Sequence, residues 1–142
     1  MASKPGGKPV DANVLLSAVL GHAALRVFTQ THISVLTTPG VLQEVRDYIP
    51  SIAEQYDILP QALEAQLRLL AVRECEPSEF APKLKAATQA IAKRDPHDAN
   101  LLALAPAFAI PVWSNDSDFK DVGVEWYTTA RLLRRLGVPS QA

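Results

Sequence analysis

Apolar residues along the 142-residue chain follow two spacings. Short runs bounded by turn residues read as strands, and longer stretches with apolar positions three and four apart read as amphipathic helices. Ile33-Ser34-Val35-Leu36 is a run of the first kind. It ends in Thr37-Thr38-Pro39, which predicts a helix with Thr38 as N-cap and Pro39 at the first helical position. That helix repeats apolar residues at Val41, Val45, Tyr48, Ile49 and Ile52. Leu59, Leu63, Leu67 and Leu70 predict an apolar helix from Pro60 to Val72, and Leu84, Ala87 and Ile91 predict another after Pro82, with Pro77 between them. Asp95-Pro96 opens a helix through Leu101, Leu102 and Ala105 that Pro106 should kink or shorten. Ile110-Pro111-Val112-Trp113 reads as a strand and Val124-Glu125-Trp126-Tyr127 as a further one, after which Thr128 caps a last helix ending at Gly137. Near the start, Val10-Asp11 reads as a very short strand running into a helix that carries Val14, Leu15, Ala18 and Val19. Asn115-Asp116-Ser117-Asp118 is a turn by composition.

Strands separated by helices imply an α/β protein with a mostly parallel sheet and helices on its faces. Residues 1–8 read as a flexible lead-in, 9–139 as one domain and 140–142 as a tail. A chain of this length buries about 68–70% of its extended surface, enough for a core without disulfides or a structural metal. Cys75 is the single cysteine, which excludes a disulfide scaffold and, with no Cys/His cluster, a zinc module. Fourteen basic against fifteen acidic residues give a net charge of −1. That balance argues against holding nucleic acid by bulk charge, though not against engaging a polyanion through metal ions on carboxylates. The longest apolar stretch, Leu101 to Trp113, is broken by Pro106 and Pro111 and is too short to span a bilayer. The first ten residues lack the apolar core of a signal peptide, so a cytoplasmic protein with no membrane association is expected.

Asp11 falls just after the first strand, Glu44 in the helix after the second, Asp98 at the front of a helix, and Asp116 and Asp118 just after Trp113. In parallel sheets ligands bind beyond the carboxyl ends of the strands. Acids gathered there make an oxygen-rich pocket suited to Mg²⁺ or Mn²⁺. Each acid also has a plainer use. Asp11 serves as an N-cap, Asp98 stands three residues after the capping Asp95, Glu44 is a solvated residue beside the apolar stripe, and Asp116 and Asp118 are turn formers. His22, His32 and His97 have no ligand spacing, Cys75 reads as an inert thiol, and Gly6-Gly7 lacks the pattern of a phosphate loop. Arg131, Arg134 and Arg135 form one helix face, either solvated or in contact with RNA phosphates. Trp113 and Trp126 read as core.

Together these residues resemble the PIN-domain nucleases, and within them the compact bacterial group related to the toxins of type II toxin–antitoxin pairs. The resemblance runs from Val10 to Leu136. Its most specific part is RDPHDANLLALAPAFAIPVWSNDSDFK, Arg94 to Lys120, with an acid before a helix, a strand, and then S-N-D-x-D-F. VDANVLLSAVLG and LQEVRDYI match the family's first and second acidic positions. The chain departs from the family pattern in the short Lys8-Pro9-Val10 lead into Asp11 and in Pro106, which interrupts a helix that is usually continuous.

The resemblance implies a three-layer α/β/α sandwich with a short, mostly parallel sheet. It also implies a Mg²⁺- or Mn²⁺-dependent endoribonuclease that hydrolyses phosphodiester bonds with a metal-activated water. On this reading Asp11, Glu44, Asp98 and Asp116 are the catalytic acids, and Asp11, Asp98, Asp116 and Asp118 surround the metal. Glu44 orients or deprotonates the water or supports a ligand, Ser114 supplies a hydroxyl beside the site, and Arg134 and Arg135 contact RNA. The implied partners are an RNA substrate, an antitoxin protein and a second copy in a homodimer. Two rivals remain. A haloacid-dehalogenase-like phosphatase requires an aspartate two residues after Asp11, where Asn13 stands. A non-catalytic interaction domain of the same fold has no need of the four acids this chain carries.

Overall fold

Every strand is two or three residues long and every pairing is parallel, so helices make up most of the described chain. The structure, a computed structural model, describes residues 8–91, 98–108, 111–115, 119 and 123–139. Strands Lys8–Pro9 (β1), Val35–Thr37 (β2) and Val72–Glu74 (β3) form one ladder, and Val112–Trp113 (β4) pairs with Trp126–Tyr127 (β5). A parallel bridge between Val10 and Trp113 joins the two ladders. Side by side, the strands therefore run β3-β2-β1-β4-β5, and the order in space reverses between β1 and β4.

Among the described residues seven helices connect or follow these strands: Ala12–Val19 (α1), Ala23–Gln30 (α2), Pro39–Tyr56 (α3), Pro60–Leu69 (α4), Pro77–Ile91 (α5), Asp98–Phe108 (α6) and Thr129–Arg135 (α7). Successive strand residues point to opposite sheet faces, and the two apolar cores follow that alternation. Val35 and Trp113 pack with Leu15, Ile49, Leu67 and Leu132 of α1, α3, α4 and α7. Leu36 and Val112 pack on the other side with Phe80, Ile91 and Leu104 of α5 and α6. The result is the expected α/β/α sandwich with a short parallel sheet.

Local signals set most helix starts. The Thr38 side chain accepts from the Val41 N–H at 3.2 Å, and the Thr128 side chain accepts from the Arg131 N–H at 3.2 Å. Both are the N-caps the sequence predicts. Gly137, at φ +75°, closes α7, with the Val138 N–H on the Leu133 carbonyl at 2.9 Å.

Four features differ from the sequence expectation. Helix α2 has no counterpart in it; Gly21, at φ +81°, turns the chain so that α1 and α2 meet at 84°. The helix expected to reach Val72 stops at Leu69, and Val72–Glu74 becomes the edge strand β3. Its Arg73 and Glu74 are exposed, so no apolar run marks it. Helix α5 starts at Pro77 with Pro82 inside it. Pro106 stands exposed in the last turn of α6, which ends at Phe108. The expected cap at Asp95 and strand residue Ile110 lie outside the described residues. Among the described residues no single helix is long and apolar enough to cross a membrane.

Candidate active site

The first residue beyond the sheet after β1 is Asp11, and the first after β4 is Ser114. These two strands flank the point where strand order reverses, the place where open parallel sheets leave a crevice for ligands. The sheet edge here is firmly built. The Val10 N–H donates to the Leu36 carbonyl at 2.8 Å, and the Thr37 hydroxyl, fully buried, donates to the Val10 carbonyl at 3.2 Å.

Asp11 has extended backbone angles and caps α1, with Oδ1 accepting from the Val14 N–H at 3.0 Å. Its Oδ2 accepts a hydrogen bond from the Ser114 hydroxyl across the crevice. Capping and site formation are thus one arrangement, not alternatives. The side chain lies at the positive end of the α1 dipole, which favours its negative charge. Asp11 is 9% exposed and Ser114 fully buried, so both oxygens of this carboxylate are held in fixed directions.

Ser114 is itself fixed from two sides. Its N–H donates to the Tyr127 carbonyl at 3.0 Å, and its carbonyl accepts from the Trp126 indole at 2.7 Å. The next residue, Asn115, accepts the Thr129 N–H on Oδ1 at 2.8 Å, while the Trp113 indole donates to the Thr129 hydroxyl at 2.9 Å. Thus α7 is anchored to the same edge that holds Asp11. The sequence marked Asn115 as a turn residue inside the S-N-D-x-D-F signature and did not single out Thr37; both make contacts distant in the chain that hold this edge.

Glu44 sits on an exposed part of α3, six residues beyond Thr38, or about 9 Å along the axis from the end of β2. Helical Cα–Cβ bonds tilt toward the N-terminus, here toward the carboxyl edge of the sheet. Asp98 opens α6, which packs against β1. Asp116 and Asp118 lie outside the described residues. Among the described residues no three His, Cys, Asp or Glu side chains converge. The donors at the crevice, the Asp11 carboxylate and the Ser114 hydroxyl, are all hard oxygen, which fits Mg²⁺ or Mn²⁺ and not a sulfur-preferring metal.

Arg134 and Arg135 are exposed on α7 beside Arg131, whose guanidinium lies 5.2 Å from the Tyr127 ring centroid. The Tyr127 hydroxyl donates to Glu125 at 2.8 Å, which with burial pushes its pKa up. Cys75 is buried, and burial raises its thiol pKa, as befits an inert core residue. His22 and His32 are exposed, with His22 edge-on to Tyr56; His97 lies outside the described residues.

A family model described as PIN domain matches residues 10–137, from the bridge residue before Asp11 to the glycine that closes α7. A search of curated proteins gave no match.

Proposed function

The chain belongs to the PIN-domain family, whose members are generally nucleases, and from that premise we propose that it is a divalent-cation-dependent endoribonuclease acting on single-stranded RNA. The observation that carries this reading is the buried Asp11 carboxylate, clamped by the Val14 N–H and the Ser114 hydroxyl at the reversal of strand order. A structural cap needs only the first of those bonds. The second spans 103 residues and aligns the carboxylate with the crevice.

In this role Asp11, Asp98, Asp116 and Asp118 hold Mg²⁺ or Mn²⁺, which when bound stabilises charge on the phosphoryl oxygens and makes water more acidic. The chain's own residues do the rest. Asp11 fixes position through its two hydrogen bonds. Glu44 accepts the proton lost by the attacking water as the water oxygen bonds to phosphorus and the opposite P–O bond breaks. Arg134 and Arg135 meet phosphates of the strand.

Incubating the pure chain with single-stranded and structured RNA in Mn²⁺ and in EDTA tests the reading. Cleavage of single strands in Mn²⁺ alone is the expected result; cleavage surviving EDTA, or none in either, overturns it. Glu44→Gln should slow turnover about 10²-fold or more, as for loss of a general base, with Mn²⁺ affinity unchanged by calorimetry. Complete loss of Mn²⁺ binding would make Glu44 a ligand instead. Ser114→Ala should lower the rate about 10–100-fold, the usual effect of removing a group that orients a ligand. A rate equal to wild type would separate Ser114 from the chemistry. The finer role, toxin of a toxin–antitoxin pair, expects growth arrest on expression that Asp11→Asn relieves.

A further inference from the structure

Helices α2 and α7 pack together and leave between them a cleft of about 750 Å³. That volume lies within the roughly 300–1,000 Å³ of small-molecule sites. His22, Arg26, Asn115, Thr129 and Arg134 supply its polar lining, and among the described residues no acidic side chain lines it. One of them ties the cleft to the candidate active site: Asn115 directly follows Ser114, whose hydroxyl is on Asp11. The cleft thus shares a chain neighbour with the crevice.

Its two guanidinium groups are unequally satisfied. Arg26 donates from one amino group to the Pro139 carbonyl, but its Nε is buried and among the described residues has no hydrogen-bond partner. A buried donor on a charged group is costly to leave unpaired, and an anionic oxygen is the acceptor that repairs it best. Arg134 is exposed, and among the described residues its side chain makes no hydrogen bond or ion pair. It also borders a second groove, of about 480 Å³, with Tyr127, Arg131 and Arg135. Arg134 is thus the ridge shared by two cationic hollows.

Resting on the nuclease reading, we infer that the α2–α7 cleft is a substrate subsite for one nucleotide next to the scissile bond. Arg26 and Arg134 contact its phosphate, and Asn115 stands at the mouth. The class of ligand follows from the described lining: two planar cations suit a phosphodiester, and the apolar Leu25, Leu133 and Val138 suit the sugar. Contacts to the strand's phosphate positions orient it and carry no sequence information.

The test measures binding of a fluorescent single-stranded RNA to the full chain in EDTA across a salt series, beside single-turnover cleavage in Mn²⁺. Arg134→Gln and Arg26→Gln should each weaken binding about three- to tenfold and flatten the dependence of log affinity on log salt by about 0.7, the value for one phosphate contact on a single strand. The concentration for half-maximal cleavage should rise with the maximal rate unchanged. Arg68→Gln, on the exposed side of α4, should change neither quantity. Because Arg26 also holds Pro139 and Arg134 also borders the second groove, the two variants are read together, and a loss in Arg134→Gln with none in Arg26→Gln overturns the subsite. Wild-type affinity and salt slope in Arg134→Gln, or a loss no larger than in Arg68→Gln, overturns the subsite. If wild type still cleaves RNA in that case, the nuclease reading stands without it. If wild type neither binds nor cleaves RNA, both fall.

Discussion

Asp11→Asn is expected to cut RNA cleavage by more than about 100-fold, beyond the roughly 10–100-fold typical of a residue that only supports a ligand, while barely changing stability. The asparagine oxygen accepts the Val14 N–H as the carboxylate did, and Asn is as good an N-cap as Asp. Its amide nitrogen can donate to Ser114 Oγ where Ser114 formerly donated. What the substitution removes is charge and, on the proposed function, a metal-binding oxygen. Asp11→Ala, by contrast, removes the cap at about 1 kcal/mol and leaves the fully buried Ser114 hydroxyl without this acceptor, at about 1–3 kcal/mol more. Urea unfolding of both variants and cleavage rates in Mn²⁺ separate scaffold from chemistry. Melting adds a third readout: on the proposed function Mn²⁺ should stabilise wild type by mass action, and Asp11→Asn should lose that gain. An Asp11→Asn protein that keeps a tenth of wild-type activity and its full Mn²⁺-dependent stabilisation would remove Asp11 from the metal site.

Trp113→Ala is expected to be the most destabilising single change, at about 3–5 kcal/mol. Trp113 has no solvent exposure, its ring meets Phe28 at a centroid distance of 5.7 Å, and its indole N–H holds the Thr129 hydroxyl. Truncation removes a large apolar surface and the anchor of β4 to α7 together. Against a typical total of about 5–15 kcal/mol, such a loss takes a large share of the stability. Trp113→Phe keeps most of the ring contact but gives up the Thr129 bond, so its cost should be clearly smaller. A loss below about 1 kcal/mol for the alanine variant in urea would contradict the packing described, because buried aromatic truncations ordinarily cost several times that.

The comparison of sequence with structure divides along the range of the interactions. Thr38-Pro39, Thr128 and Asp11 announce their helices because a cap acts over three residues. A parallel sheet with helices on its faces was legible from alternating short runs and helices, and the three-layer sandwich from the family resemblance. Strand order was not, since β1 meets β2 and β4 through pairings 27 and about 100 residues away. Edge strand β3 escaped notice because an edge exposes Arg73 and Glu74, and α2 escaped because its N-cap, His22, makes no side-chain cap bond. At the site, Asp11 and Ser114 were legible as types and are brought together by the fold. Glu44 was legible as a residue flanking an apolar stripe, and its place on α3 agrees with that. The part played by Asn115 was not, because its bond to Thr129 spans 14 residues and looks in sequence like ordinary turn chemistry.

Among the described residues one bridge, Val10 to Trp113, carries the backbone pairing across the middle of the sheet. Elsewhere each ladder has two or three registered pairs. The cohesion of the two half-sheets therefore falls to side chains: Ser114 on Asp11 at the edge, and Trp113 within the apolar core beneath it. Such a seam is a natural boundary between cooperative unfolding units, where amide protons exchange by local opening before the whole chain unfolds. Anything that grips both lips of the crevice then acts as a clasp on the sheet itself.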